Sequence, residues 1–187
     1  MLADDFTGVQ TLYYESGPLK LETNYVGGKR NGIQKWYDLE GQVWIETFYK
    51  NDLRDGQERA YNSNGQLISE TYYKRDKRHG QSHCYWDNGI ICREFTFVND
   101  RQHGLQKSFW ENGQLHWEEN FVNGRKHGIE REFYRNGRLR TEYNYIKGKK
   151  ENLGLHFNEN GGLTRADAYK NGRLGEIYFI SKDYKPY

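Results

Sequence analysis

An all-β fold of tandem hairpins is what this sequence predicts, and three observations predict it. Gly8, Gly32, Gly56, Gly80, Gly104 and Gly128 stand 24 residues apart, with Asn152 in the next slot. A second glycine follows each slot nine residues later, at Gly17, Gly41, Gly65, Gly89, Gly113, Gly137 and Gly161. Apolar residues keep the same phase. With the leading glycine as position zero, position 5 is aromatic from Tyr13 to Phe157. Position 11 is Leu, Val or Ile from Leu19 to Leu163, and position 17 is aromatic from Tyr25 to Tyr169. Self-similarity at such a period marks a repeat architecture. Seven repeats cover residues about 8–175, the last one degenerate, and a C-terminal capping strand covers about 176–187. Residues 1–187 thus read as a single repeat domain.

Each repeat reads as two short strands. The triplets "SNG" (63–65), "DNG" (87–89), "ENG" (111–113) and "RNG" (135–137) place glycine third. That is a three-residue hairpin loop, a type I turn closed by a left-handed residue. The second corner, "VNG" at 122–124 or "VND" at 98–100, offers Gly or Asp where a left-handed residue is needed again. "FVNGRKHG" (121–128) is therefore a strand end, a tight turn and the start of the next strand. A three-residue loop sets position 5 opposite position 11, and position 4 opposite position 12. Strand alternation then puts positions 1, 5, 11 and 17 on one packed face, and positions 4, 6, 12 and 16 on a second. About fourteen strands at ~4.8 Å spacing give an elongated single-layer antiparallel sheet. The tail "EIYFISKDYKPY" reads as a last strand whose Lys182, Lys185 and Pro186 protect an open edge.

Composition agrees. Only 35% of the 187 residues are hydrophobic and 29% are charged, yet there are 16 Tyr, 9 Phe and 5 Trp. Disordered chains lack aromatics, so a thin sheet ordered by aromatic packing fits better. The net charge of +2 comes from 28 basic and 26 acidic residues, well interspersed. No basic block of the kind that grips phosphate backbones occurs, so no nucleic-acid partner is expected. Anionic lipid has little to hold, so membrane contact is possible but not favoured. No apolar run reaches the length of about 18 residues of a spanning helix. The opening "MLADDFTGVQ" is neither a signal nor a transit peptide, which points to the cytoplasm as the sequence stands. The periplasm is the alternative if a leader has been removed.

Chemistry-bearing residues recur with the period, which argues for structure over catalysis. Glu22, Glu46, Glu70, Glu94, Glu118 and Glu142 form a ladder with rungs roughly 10 Å apart, too far to share a metal. They read as structural carboxylates bonded to turn amides or to Lys and Arg. His79, His103 and His127 are spaced too far apart for zinc, and read as turn donors satisfying carbonyls. Cys84 and Cys92 fall at positions 4 and 12; a cross-strand disulfide and a pair of free thiols both remain open. No nucleophile elbow, phosphate loop or paired Cys-x2-Cys occurs, so neither an enzyme nor a cofactor is expected. The second face varies between repeats and carries Trp36, Trp44, Trp86, Trp110, Phe48, Tyr72 and Tyr134. Cross-strand aromatic packing is one reading of these residues, and a partner-binding surface is the other.

The unit G-x4-[YF]-x3-G-x-[LIV]-x2-E-x2-[YF]-x-N-G-x2-H-G resembles the bacterial variant of the MORN repeat, over about residues 8–175. That variant is common in YwqK-like proteins, described as antitoxins, and similar repeats occur in immunity proteins. Asp52, Asp76 and Asp100 depart from the unit at the turn glycine, and Asn152 at the leading one. The resemblance implies a non-enzymatic protein that occludes a cognate toxin or secreted effector. A structural or membrane-associated scaffold is the alternative.

Overall fold

The computed structural model describes residues 5–179, and these contain strands and turns but no helix. The strands are β1 (Gly8–Tyr13), β2 (Leu19–Val26), β3 (Lys29–Tyr37), β4 (Val43–Lys50), β5 (Leu53–Tyr61), β6 (Leu67–Lys74), β7 (Lys77–Tyr85), β8 (Ile91–Val98) and β9 (Arg101–Gln102). They continue as β10 (Gly104–Phe109), β11 (Leu115–Val122), β12 (Arg125–Lys126), β13 (Gly128–Phe133), β14 (Leu139–Ile146), β15 (Lys149–Phe157), β16 (Leu163–Lys170) and β17 (Arg173–Phe179). His103 and His127 interrupt what the sequence treats as one strand, which separates β9 from β10 and β12 from β13. Of the expected capping strand, residues 176–179 complete β17; Lys182, Lys185 and Pro186 lie outside the described residues.

Two compact units are present, one running through Ile90 with Phe97–Asp100, the other comprising Ile91–Thr96 and the chain from Arg101. In the first unit, β1 to β7 pair consecutively and antiparallel. In the second, β10 pairs with both β8 and β11, and the antiparallel order then runs on to β17.

Both corners form as their sequences dictate. Trp110 N–H donates to Gln114 O and Gly113 N–H to Trp110 O, each at 2.8 Å, which closes the three-residue loop. Gly113 has φ of 82°, where a side chain would be strained. The other corner is a two-residue turn with both central residues left-handed: Asn123 at 51° and Gly124 at 77°, or Asn51 at 51° and Asp52 at 67°. Such turns match the twist of the strands they join.

The register departs from expectation by one residue, and that changes the faces. Position 5 does face position 11, as Tyr37 faces Val43, but position 4 pairs with position 13, as Trp36 pairs with Ile45. Position 12 is the extra residue of a β-bulge that recurs in each complete hairpin of both units. A one-residue insertion flips every side chain beyond it. Position 17 therefore joins positions 0, 2, 4 and 15, while position 16 joins positions 1, 3, 5 and 14. The expected packed stripe is corrected accordingly. Position 1 is solvent-exposed at Val9, Leu105, Ile129 and Leu153, whereas position 17 is buried at Phe97 and Phe121.

The buried centre of each unit is polar. Thr23, Gln34 and Thr47 in the first unit, and Gln106, Glu119, Glu130 and Asp167 in the second, all occupy positions 2 or 15. Small or flexible polar groups fit there because long neighbours lie over them. Arg30 stacks on Tyr49 at 4.1 Å, and Arg54 on Tyr73 at 4.0 Å. Gln34 Nε2 donates to Thr23 Oγ1 at 2.9 Å, and Gln106 Oε1 accepts the main-chain N–H of Thr96 at 2.9 Å. Pairing of that kind removes the cost of burying a polar group.

Candidate functional site

The glutamate ladder lies on the face of positions 1, 3, 5, 14 and 16. Each Glu at position 14 stands opposite position 3 of the neighbouring strands, where most residues are cationic. In the first unit, Glu46 pairs with Lys35 at 3.7 Å and Glu70 with Arg59 at 3.8 Å. His83 Nδ1 adds a contact of 3.1 Å to Glu70. In the second unit, Arg131 bridges Glu118 at 3.2 Å and Glu142 at 2.7 Å. The position-5 tyrosines close the ladder from the side. Tyr61 donates to Glu46 at 3.1 Å and Tyr85 to Glu70 at 2.9 Å. Burial, and then the bond to Glu70, push the Tyr85 hydroxyl up to about 12. Such alternation across a sheet is a structural device, and each half-exposed pair contributes little alone.

The three histidines lie beside the leading glycines, in a bulge opposite position 16. His103 and His127 donate their main-chain N–H groups to Thr96 O at 2.9 Å and Asn120 O at 2.8 Å. The side-chain role expected of them is not seen at His79, whose buried Nδ1 has no hydrogen-bond partner. Among the described residues, no group of three or more His, Cys, Asp or Glu side chains is placed to hold a metal ion. Cys84 and Cys92 are both disulfide-bonded. The same two positions hold Trp36 and Trp44 in the second repeat, with ring centroids 6.3 Å apart.

The seven aromatic candidates do not share one face. Trp36, Trp44, Trp86, Trp110 and Tyr134 occupy positions 4, 6 and 12, towards the three-residue loops. Phe48 and Tyr72, at position 16, lie on the opposite face, a second consequence of the bulge. Of the loop group, Trp110 stacks on His116 at 3.7 Å and carries Arg135 at 5.0 Å. Tyr134 donates its hydroxyl to Phe157 O at 2.8 Å. Trp44 and Trp86 are exposed, and Trp86 lines a groove of about 370 Å³ with Leu67, Ile68 and Tyr85. Phe48 and Tyr72, 38% and 43% exposed, project from mid-strand beside Ile33 and Gln57.

One polar cluster escapes a reading based on the repeat. In the second unit, Lys126 Nζ reaches Glu119 at 2.6 Å and also contacts Glu130. Burial raises the Glu119 carboxyl, and Lys126 offsets part of that rise. Beyond it, Asp167 is 2% exposed and receives His156 Nε2 and Arg165 Nη2, both at 2.9 Å. His156 and Arg165 also line a cleft of about 480 Å³ with Glu132, Tyr134 and Arg140. The available signal was a break in the pattern: position 15 is Thr in the first three repeats and Asp167 in the last.

With this geometry in place, comparison with known proteins decides the family. The model of the MORN repeat variant matches residues 6–26, 30–51, 54–75, 102–123 and 126–147, more than half of the chain. The chain belongs to the MORN repeat variant family. The matched segments of this MORN-variant protein coincide with hairpins of both units. No curated protein matches it.

Among solved structures, the likenesses are shallow. A mutant of TarM from S. aureus, in complex with fondaparinux, alpha-GlcNAc-glycerol and UDP, aligns with a TM-score of 0.36 and 14% identity. That alignment covers 58% of this chain and 21% of the other. Another structure of TarM gives 0.27 and 14%, over 75% and 20%. A porin-like protein from Bacteroides uniformis gives 0.23 and 10%, over 91% and 86%. The chain spans about a fifth of either TarM chain. At these values the likenesses carry no argument about function.

Proposed function

We propose that this MORN-variant protein is a non-enzymatic protein-binding module, an antitoxin or immunity protein that neutralises a cognate bacterial toxin or secreted effector by occluding it. The observation that carries this reading is the exposure of Phe48 and Tyr72 at mid-strand, on the face opposite the buried polar row. Aromatic side chains held rigidly on strands lose little entropy on contact and dominate interface hot spots. Phe48 and Tyr72 stand beside Ile33 and Gln57 on an open strand face, which suits a surface-to-surface contact better than an enclosed small ligand. Occlusion needs no catalytic group, in keeping with a ladder in which Glu46, Glu70, Glu118 and Glu142 are already held by Lys or Arg. The disulfide at Cys84 and Cys92 supports an oxidising compartment such as the periplasm over the cytoplasm.

The test is a capture experiment coupled to growth. The full chain, immobilised, is exposed to extract of its native organism, and the stoichiometric partner is cloned. Expression of that partner should arrest growth, and co-expression of this protein should restore it. Phe48→Ser/Tyr72→Ser should abolish both capture and rescue while the fold persists. A partner that leaves growth unaffected would contradict the antitoxin reading.

A further inference from the structure

We infer that the second unit carries a docking strip for a protein partner with an acidic rim and an apolar centre. The inference rests on the protein-binding reading above and names the chemistry of the partner. Its basis is a segregation of side chains that the near-neutral total charge conceals.

The edge formed by the two-residue turns of this unit carries Arg101, Arg125, Lys147, Lys149, Lys170 and Arg173. All six are exposed, and none makes an ion pair among the described residues. The carboxylate of Glu151, on the same edge, is already engaged by the main-chain N–H of Asn171 at 2.6 Å. The opposite edge is mixed: Glu111, Arg135 and Glu159 sit in its three-residue loops, and Arg138 follows one of them. Charge is therefore interspersed along the sequence but sorted in space.

Beside the cations runs a row of exposed aliphatics. Val122 pairs directly with Arg125, and Ile146 with Lys149. Leu105, Ile129 and Leu153 continue the row on the same face, and these five side chains remain 39% to 50% exposed. Successive position-1 residues stand roughly 10 Å apart, two strand spacings. An apolar patch rimmed by uncompensated cations is complementary to an apolar patch rimmed by carboxylates, the arrangement that steers association and fixes register. A protein fits better than a bilayer because the turn tips are Asn123-Gly124, Lys147-Gly148 and Asn171-Gly172. Nothing apolar projects past the edge to enter lipid; the aliphatics stand on a strand face.

The experiment uses the full chain and four defined probes. These are a synthetic peptide of alternating leucine and glutamate, poly-glutamate of equal length, a DNA duplex, and phosphatidylserine–phosphatidylcholine vesicles. The alternating peptide should bind more tightly than the other three, with affinity falling as salt rises. Arg125→Glu/Lys147→Glu/Lys149→Glu should weaken it at least about tenfold, and so should Leu105→Ser/Ile129→Ser. Arg135→Glu/Arg138→Glu, on the opposite edge, should leave it unchanged; circular dichroism confirms that each variant folds. Tighter binding of DNA or vesicles, equal binding by the charge-reversed variant, or binding of no probe would each overturn the inference. A captured toxin that still binds the charge-reversed variant would overturn it too, while leaving the protein-binding reading intact. Peptide binding without growth rescue would do the opposite.

Discussion

Tyr143 lies across Gly154. A methyl group built at Gly154 would run into the Cε1 and Cδ1 atoms of that ring. The two occupy positions 15 and 2, where earlier repeats pair Thr23 with Gln34 and Thr47 with Glu58. A large side chain at one position is thus accommodated by removal of the other. Gly154→Ala should destabilise the second unit by about 1–3 kcal/mol through overpacking. Gly154→Ala/Tyr143→Thr should recover most of that loss in urea denaturation.

Lys126 holds the buried carboxylates of Glu119 and Glu130 together. Lys126→Met would leave both without their cation, at a cost on the order of 3 kcal/mol. Burial raises the Glu119 carboxyl in the fold, so its ionised form is the destabilising one. The variant should therefore regain stability relative to the parent as pH falls and Glu119 takes up a proton. Melting temperatures of the two proteins between pH 4 and pH 8 would converge at the acid end.

Asp52 works in the opposite sense. Its carboxylate accepts the main-chain N–H of Arg30 at 2.9 Å and faces that guanidinium at 3.3 Å. These contacts hold it below its ordinary value of 3.8, the main-chain hydrogen bond contributing most. A depressed carboxyl contributes stability above its unfolded value and loses it as pH falls through the folded one. Asp52→Asn tolerates the left-handed turn but carries no charge. It should melt lower than the parent at pH 7, with the gap narrowing below about pH 4.

The disulfide gives a fourth expectation. Thiol titration of the unfolded, unreduced protein should find no free thiol, and reduction should release both cysteines. Because the residues enclose a short loop, reduction should cost about 2–3 kcal/mol. Free thiols in protein prepared without reductant would contradict this.

How much of the molecule was legible in its sequence depended on which residues carried the signal. Glycines that terminate turns report on a local conformation, so Gly113 and the Asn123-Gly124 pair were readable directly. The pairing of Tyr37 with Val43 followed from loop length. The bulge at Trp44 did not, because an extra residue in a strand leaves no mark as clear as a left-handed turn. Missing it transposed positions 16 and 17, which put Phe48 and Tyr72 beside the tryptophans and made Val9 and Leu105 core residues. An ion-pair role for Glu46 and Glu70 was legible from residue type, but their partners Lys35 and Arg59 come opposite them only in the bulged register. His156 and Asp167 were hidden for another reason: they occupy slots whose usual residues carry no chemistry. The basic edge was invisible to a count of charges, because its cations gather only when the turns are stacked.

The proposed function places the partner on the face bearing Phe48 and Tyr72. Hydroxyl-radical footprinting of the free protein and of its stoichiometric complex tests it most directly, because side chains on opposite faces of one strand report separately. Protection of Phe48 and Tyr72 with unchanged labelling of Trp44 is the expected result. Protection of Trp44 and Trp86 with Phe48 and Tyr72 still reactive would contradict it.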